Sequence, residues 1–316
     1  MKKYTFFFII ILPFLGLAQS NKLVRQGLRA TNPEEKINLF SQAIELDPEN
    51  LDAYFYRGVT KDNIGDYSGA ILDYTKVIFF EPTADVYFNR GNSKYSLMDY
   101  LGAKEDYEKA LELNHEFLEA KYSLAMAKYD LKDYKGAVAD LNALPKTAYV
   151  YLQLGRSYEA LDDYKNALIN YSLAIVNDKS SQNFYARGLF YMGINYYKNA
   201  NEDFTTSFYL DNSNVSALFF KGVSHYLLGE FDLALNSFSV VSQNDPTDFD
   251  AQIGLALTYL HLEDPAKAKL NFNKAKSILK GTDLSKPDDI NLFENTYWFQ
   301  NQYSAFNRDF DTLNNI

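Results

Sequence analysis

FNRGNSKYSLMDYLGAKEDYEKA, residues Phe88 to Ala110, is the stretch whose reading decides the fold. Gly91 lies inside a run with helical spacing, where glycine costs about 1 kcal/mol against alanine. Something must offset that cost, and close approach of a second helix is the usual reason. Ala103 follows twelve residues later, Tyr107 four after that and Ala110 three further on. Between them Met98-Asp99-Tyr100 reads as a polar turn whose acid is placed to cap the next helix. The stretch is a helical hairpin, with Gly91 and Ala103 expected to let its two backbones touch and Tyr107 to fill the gap toward the next unit.

The same cadence recurs along the chain. Small anchors stand at Gly58, Gly91, Ala125, Gly155, Gly188, Gly222 and Ala256, at steps of 30 to 34 residues. Each is followed by a small residue (Ala70, Ala103, Ala137, Ala167, Ala200, Ala234, Ala268) and then a large one (Tyr74, Tyr107, Leu141, Tyr171, Phe204, Phe238, Phe272). A fixed period of this length is the mark of a solenoid, in which each unit buries its apolar face on its neighbours. The unit anchored on Ala125 reaches Pro145 early, so its second helix is expected to be truncated. Gly65, Asn195 and Gly229 suit a left-handed residue after a helix. Arg57, Arg90 and Arg187 are expected to pair with Asp73, Asp106 and Asp203 inside each hairpin rather than to form a ligand ladder.

Seven units in phase resemble the tetratricopeptide repeat (TPR), of an exported bacterial type. Small residues, the large ring and the closing Pro82 and Pro246 match its pattern, while His115, Lys179 and Asn212 depart from it at that proline. The resemblance implies an all-α fold, a right-handed α–α superhelix. The organisation expected is a leader over residues 1–18, a partial repeat over 19–50 carrying Phe40, Ala43 and Pro48, seven units over 51–280, and a capping helical segment over 281–316. It also implies that the first helix of each unit lines a concave groove through repeat positions 2, 5, 9 and 12. Mapped onto this chain, the groove residues are Phe55, Phe88, Asn92, Tyr95, Tyr122, Met126, Tyr129, Leu152, Arg156, Tyr185, Phe219 and Tyr226. Asp52, Asp62, Asp85, Glu119, Glu159 and Asp250 give the groove an acidic fringe. This stripe of rings is either an open groove or a core buried between adjacent first helices. The chaperone-binding members of the family clamp a carboxylate with Lys and Asn; here the first of those positions is apolar throughout, so an acidic chaperone tail does not fit.

Composition narrows the functions. The 316 residues carry a formal charge of −10 and no cysteine. The acidic balance argues against nucleic acid, whose phosphates need clustered Lys and Arg, and favours a neutral or basic protein or peptide with apolar anchors. Absence of cysteine removes disulfides, thiolate zinc sites, cysteine nucleophiles and an acylated lipoprotein anchor. Lys2 and Lys3, the apolar run Tyr4 to Leu17 and Gly16-Leu17-Ala18 read as a secretory signal cleaved after Ala18. That run is too short, and broken by Pro13, for the roughly 20 residues of a membrane span. Localisation in the periplasm or cell envelope follows as an expectation, with no span in the mature chain.

His115, His225 and His261 stand at no metal-ligand spacing, and His225 takes a position where the family packs a tyrosine. No phosphate loop, dinucleotide fingerprint or nucleophile elbow occurs. Asp211-Asn212-Ser213-Asn214 reads as an inter-repeat turn rather than a calcium loop. No cofactor, metal or catalytic residue is expected. The function expected is a non-catalytic scaffold or adaptor that holds a polypeptide by an aromatic groove. The rival is a carbohydrate-binding or enzymatic protein using the same rings, which would need a convergent carboxylate pair; a purely structural envelope subunit is a third reading. After Lys280 the period fails. Pro287 marks a helix start, and Ile290, Phe293, Tyr297, Trp298 and Phe306 form either a cap on the last repeat or a docking patch.

Overall fold

The structure, a computed structural model, describes residues 5–280, 296–301 and 307–316, with side chains over 16–279, 296–298, 300 and 308–316. Lys2, Lys3, Tyr4, Pro287, Ile290, Phe293 and Phe306 lie outside the described residues or side chains. The described residues form helices and turns without a strand. In chain order the helices are α1 (Thr5–Arg29), α2 (Pro33–Leu46), α3 (Leu51–Asn63), α4 (Tyr67–Phe80), α5 (Ala84–Ser96), α6 (Tyr100–Leu113), α7 (Leu118–Asp130) and α8 (Tyr134–Asn142). There follow α9 (Ala148–Glu159), α10 (Tyr164–Asn177), α11 (Ser181–Gly193), α12 (Tyr197–Leu210), α13 (Val215–Leu227), α14 (Phe231–Asn244), α15 (Phe249–His261) and α16 (Pro265–Lys280). Two short helices close the chain, α17 (Tyr297–Asn301) and α18 (Asn307–Asn315). Odd-numbered helices through α15 are the first, or A, helices of hairpins and even-numbered ones through α16 the second, or B, helices. Two compact units result: residues 1–146 with 156–163, and residues 147–155 with 164–316.

Sequence sets each hairpin locally. Asp66, Asp99, Asp133 and Asp264 cap α4, α6, α8 and α16, each carboxylate accepting the backbone N–H three residues on. The preceding residue turns the chain with positive φ. Gly65, Asn195 and Gly229 do so as expected, and Met98, Lys132, Asp162 and Glu263 adopt the same left-handed backbone. Helix α8 has 9 residues where most B helices have 14, the truncation expected before Pro145.

The anchor glycines serve a different contact from the one read in the sequence. A Cβ on Gly91 would lie 2.7 Å from Cε1 of Tyr107, and one on Gly58, Gly155, Gly188 or Gly222 would meet Tyr74, Tyr171, Phe204 or Phe238 within 3 Å. The glycine is therefore vacated for the ring of its own B helix, not for the alanine at that helix's start. The N-terminal hairpin repeats the contact: Gly27 on α1 faces Phe40 on α2. Its linker is shorter, so Gly27 precedes its ring by 13 residues instead of 16 and stands outside the repeat cadence.

The arginine pairs form as expected and gain a third partner. Arg57, Arg90 and Arg187 each hold an aspartate through two guanidinium nitrogens at 2.7–2.9 Å. Each also donates to a hydroxyl on the preceding B helix: Ser41, Thr75 and Ser172, at 3.0–3.1 Å. The aspartates are nearly buried, with side chains 4–6 % exposed. One guanidinium thus ties its own hairpin shut and to its predecessor.

Gly91→Ala tests the ring contact. It gains about 1 kcal/mol of helix propensity but forces overpacking worth about 1–3 kcal/mol. The expected result is a net fall in stability in urea unfolding, smaller when introduced beside Tyr107→Leu than alone.

Candidate functional site

In the first unit the predicted groove residues come together on one face of α3, α5, α7 and the end of α9. Their rings rest on the rings of the B helices. Phe55 lies 6.1 Å from Tyr74, and Phe88 lies 5.9 Å from Tyr107 and 4.8 Å from Phe117. Tyr95 and Tyr129 pack edge-on against Tyr100 and Tyr134 at 5.2 Å, the staple from each B-helix start to its A helix. Asn92 accepts the Tyr107 hydroxyl at 2.9 Å. Neighbouring A helices are joined across the face: Ser93 donates to Asp62, and Tyr95 donates to Asp130. Burial, reinforced by that hydrogen bond, pushes the Tyr95 phenol up, so it stays a donor. Tyr122 and Met126 are half-buried and Arg156 is exposed. The stripe is neither open groove nor closed core: Phe55, Phe88, Tyr95, Tyr122 and Tyr129 are all half-buried.

In the second unit the equivalent face is covered. Leu152 is buried within the repeat stack. Tyr185 is half-buried, 5.8 Å from Phe204 and 6.1 Å from Phe220. Phe219 and Tyr226 are closed over by the chain's own C-terminal segment. Trp298 is fully buried with its ring 6.2 Å from both Phe219 and Tyr226 and 6.1 Å from Phe238. Its indole N–H donates to the Asp250 carbonyl at 2.6 Å, while the backbone N–H groups of Tyr297 and Trp298 donate to the Asp250 carboxylate at 3.0 and 3.3 Å. Further along, Asp309 accepts the Tyr226 hydroxyl at 2.7 Å and lies 3.0 Å from Nε2 of His261. Leu313 enters the same core, and Lys269 donates to the Ile316 backbone oxygen. The described residues of the segment, 296–301 and 307–316, pack on the A-helix face of the last repeats, with groove positions as their seat.

The remaining sequence candidates have structural partners. His225 is buried with Nδ1 2.6 Å from Glu230. Asp211 accepts the backbone and hydroxyl of Ser213, and Asn214 caps α13, so the stretch is the inter-repeat turn expected. No group of acids and histidines fit to hold a metal ion occurs among the described residues. No helix among them is long and apolar enough to cross a membrane.

Hairpins of this length, packed ring on glycine and stacked in order, match one family. Tetratricopeptide-repeat signatures fall on residues 39–71, 84–117 and 148–176. The chain is a tetratricopeptide-repeat protein. Its fold is the all-α, right-handed superhelical solenoid of that family. Among solved structures it is similar to a TPR protein from Parabacteroides merdae (16% identity, 76% of this chain, 99% of that one, TM-score 0.60). It is also similar to yeast Tom70 (18%, 91% and 66%, TM-score 0.55) and to a chain of the APC/C hetero-tetramer Cut9–Hcn1 (16%, 83% and 52%, TM-score 0.52). The chain thus spans about half the length of the Cut9–Hcn1 chain and about two thirds of Tom70. At these identities the likeness concerns the fold alone. No curated protein matches this chain.

Asp250 gives the docked segment a pH dependence. Burial raises its carboxyl from 3.8 to about 6; the two N–H donors oppose this and Asp248 adds to it. When the segment leaves, the carboxyl is solvated and returns toward its ordinary value. The docked state therefore holds the extra proton, so docking is tightest below 3.8 and weakens as pH rises through about 6. Iodide quenching of Trp298, the chain's one tryptophan, should rise across that window in the wild type. Asp250→Asn should keep the segment docked and remove the step.

Proposed function

We propose that this TPR protein is a non-catalytic scaffold that holds an extended or helical segment of another polypeptide on the A-helix face of its first unit. The observation that carries this reading is the second unit's own complex. There the same repeat positions already hold an aromatic segment, with an indole on the rings and backbone N–H groups on an acid. The first unit offers half-buried Phe55, Phe88, Tyr122 and Tyr129 with no such segment of the described chain across them. Tyr and Phe supply large, rigid contact area at low entropy cost. Two acids of this face already have structural partners: Asp248 caps α15 and Asp250 holds the C-terminal segment.

We also infer that the chain is exported to the periplasm or cell envelope and works there without residues 1–18. From Leu17 to Gln19 the side chains are exposed, and burial starts at Ser20. Ser20 donates to the Ala43 carbonyl and accepts from Asn50, each at 2.8 Å. A cut after Ala18 leaves those contacts intact. Mass spectrometry of the chain recovered from the envelope of a bacterial host should read Gln19 as its first residue, and a recombinant chain starting there should melt like the full one.

Met126→Lys places a charge in the middle of the first unit's face. It should weaken capture of peptides drawn from envelope pull-downs by about tenfold or more, with circular dichroism and melting little changed. Phe79→Ser, on the outer face of α4 where Phe79 is 78% exposed, should leave capture unchanged. Equal loss in both variants would remove the groove from consideration.

A further inference from the structure

A pocket of about 620 Å³ opens on the second unit, bounded by the N-terminal ends of α13 and α15, the end of α14, and α17. Its volume is that of a small-ligand site. Phe219, Phe220 and Tyr297 wall it, with ring centroids 5.3–5.8 Å apart and planes at 76–87° to one another. Asp245, Asp248 and Asp250 border it, and no Lys, Arg or His is among its lining residues. The hydrogen bonds these carboxylates accept are from neutral donors: Asp245 from Thr247, Asp248 from Ala251, Asp250 from Tyr297 and Trp298.

We propose that this pocket binds an alkylammonium or guanidinium group, carried by a basic side chain of the partner polypeptide. Ionised carboxylates only accept hydrogen bonds, so an occupant must bring donors, and a cation brings the missing charge as well. Rings that meet near right angles form a corner that offers π-faces to a compact cation. A sugar instead stacks on a broad flat platform, which perpendicular rings do not make. The acidic chain, at −10, draws a basic segment toward the site. Tyr297 comes from the C-terminal segment, so the pocket is complete only while that segment is docked. The inference rests on the scaffold reading and names the chemistry of its ligand.

Trp298 lies 5.1 Å from Tyr297 and 6.2 Å from Phe219, so its emission reports occupancy. The full chain is titrated with a lysine-rich decapeptide, the same peptide fully acetylated, n-butylammonium, and a chito-oligosaccharide. The lysine peptide should shift Trp298 emission saturably and the acetylated one bind about tenfold weaker or worse. Phe220→Leu and Asp245→Asn should each weaken the lysine peptide about fivefold. Melting should be unchanged in Asp245→Asn, whose asparagine can still accept from Thr247, and lowered in Phe220→Leu, because Phe220 packs on Tyr185, Phe204, Phe219 and Tyr297. Equal affinity for the acetylated peptide, or oligosaccharide binding lost in Phe220→Leu, overturns the proposal. Peptide binding lost in Met126→Lys but indifferent to both pocket variants overturns the pocket and leaves the scaffold. Butylammonium binding lost in Phe220→Leu, with no peptide bound by any form, upholds the cation chemistry and overturns the peptide as its source.

Discussion

Each glycine-anchored hairpin closes on a ring seated where the facing helix has no Cβ. Phe40, Tyr74, Tyr107, Tyr171, Phe204 and Phe238 are all at most 2 % exposed over their glycines. The two units that carry alanine at the anchor bear out the constraint from the other side. Opposite Ala125 the ring is replaced by the smaller Leu141, and opposite Ala256 Phe272 remains but sits less deeply, at 7 % exposure. The helix accepts a costly glycine because a ring of that size cannot otherwise reach the axis of its partner. The distance between the helices, and with it the placing of every A-helix side chain, follows from that contact.

This is why the repeat was legible in the sequence. The ring and its glycine are 16 residues apart in most units, within one hairpin, so the pattern carries the contact directly. The capping aspartates and the Arg–Asp pairs were readable for the same reason. Features that depend on the next hairpin were not. The hydroxyl that completes each arginine's set, Ser41, Thr75 or Ser172, is an unremarkable polar residue until stacking brings it near. Met98, Lys132, Asp162 and Glu263 adopt left-handed backbone because the hairpin turn demands it, and residue type gives no notice.

The candidate site was half legible. Repeat register put Phe88, Tyr95, Asn92 and Tyr129 on one face, but register cannot say how deep a ring sits. Depth depends on the B-helix ring beneath, and there Phe88 shares its surface between Tyr107 and the face. The C-terminal occupancy of the second unit was illegible in its detail. Its contacts join residues 47 to 83 apart, and the segment that makes them has left the repeat period. Asp250 was read as one acid of a fringe, when its place at the start of α15 lets it receive two backbone N–H groups at once.

A face made of such shared rings couples recognition to folding. Whatever settles on Phe88 or Phe219 also covers a ring that steadies the hairpin below, so binding there adds to the stability of the repeats it touches. The C-terminal segment draws on this. Burial of a large aromatic side chain contributes a few kcal/mol, offset by the entropy of ordering the short helices that deliver it. What keeps the balance on the docked side is where the polar ends fall. Indole N–H, two backbone N–H groups and the Asp309 carboxylate all find partners on A helices, so burying the ring leaves these groups satisfied. A foreign segment on the first unit must meet the same condition: rings for the face, and donors for the acids along its edge.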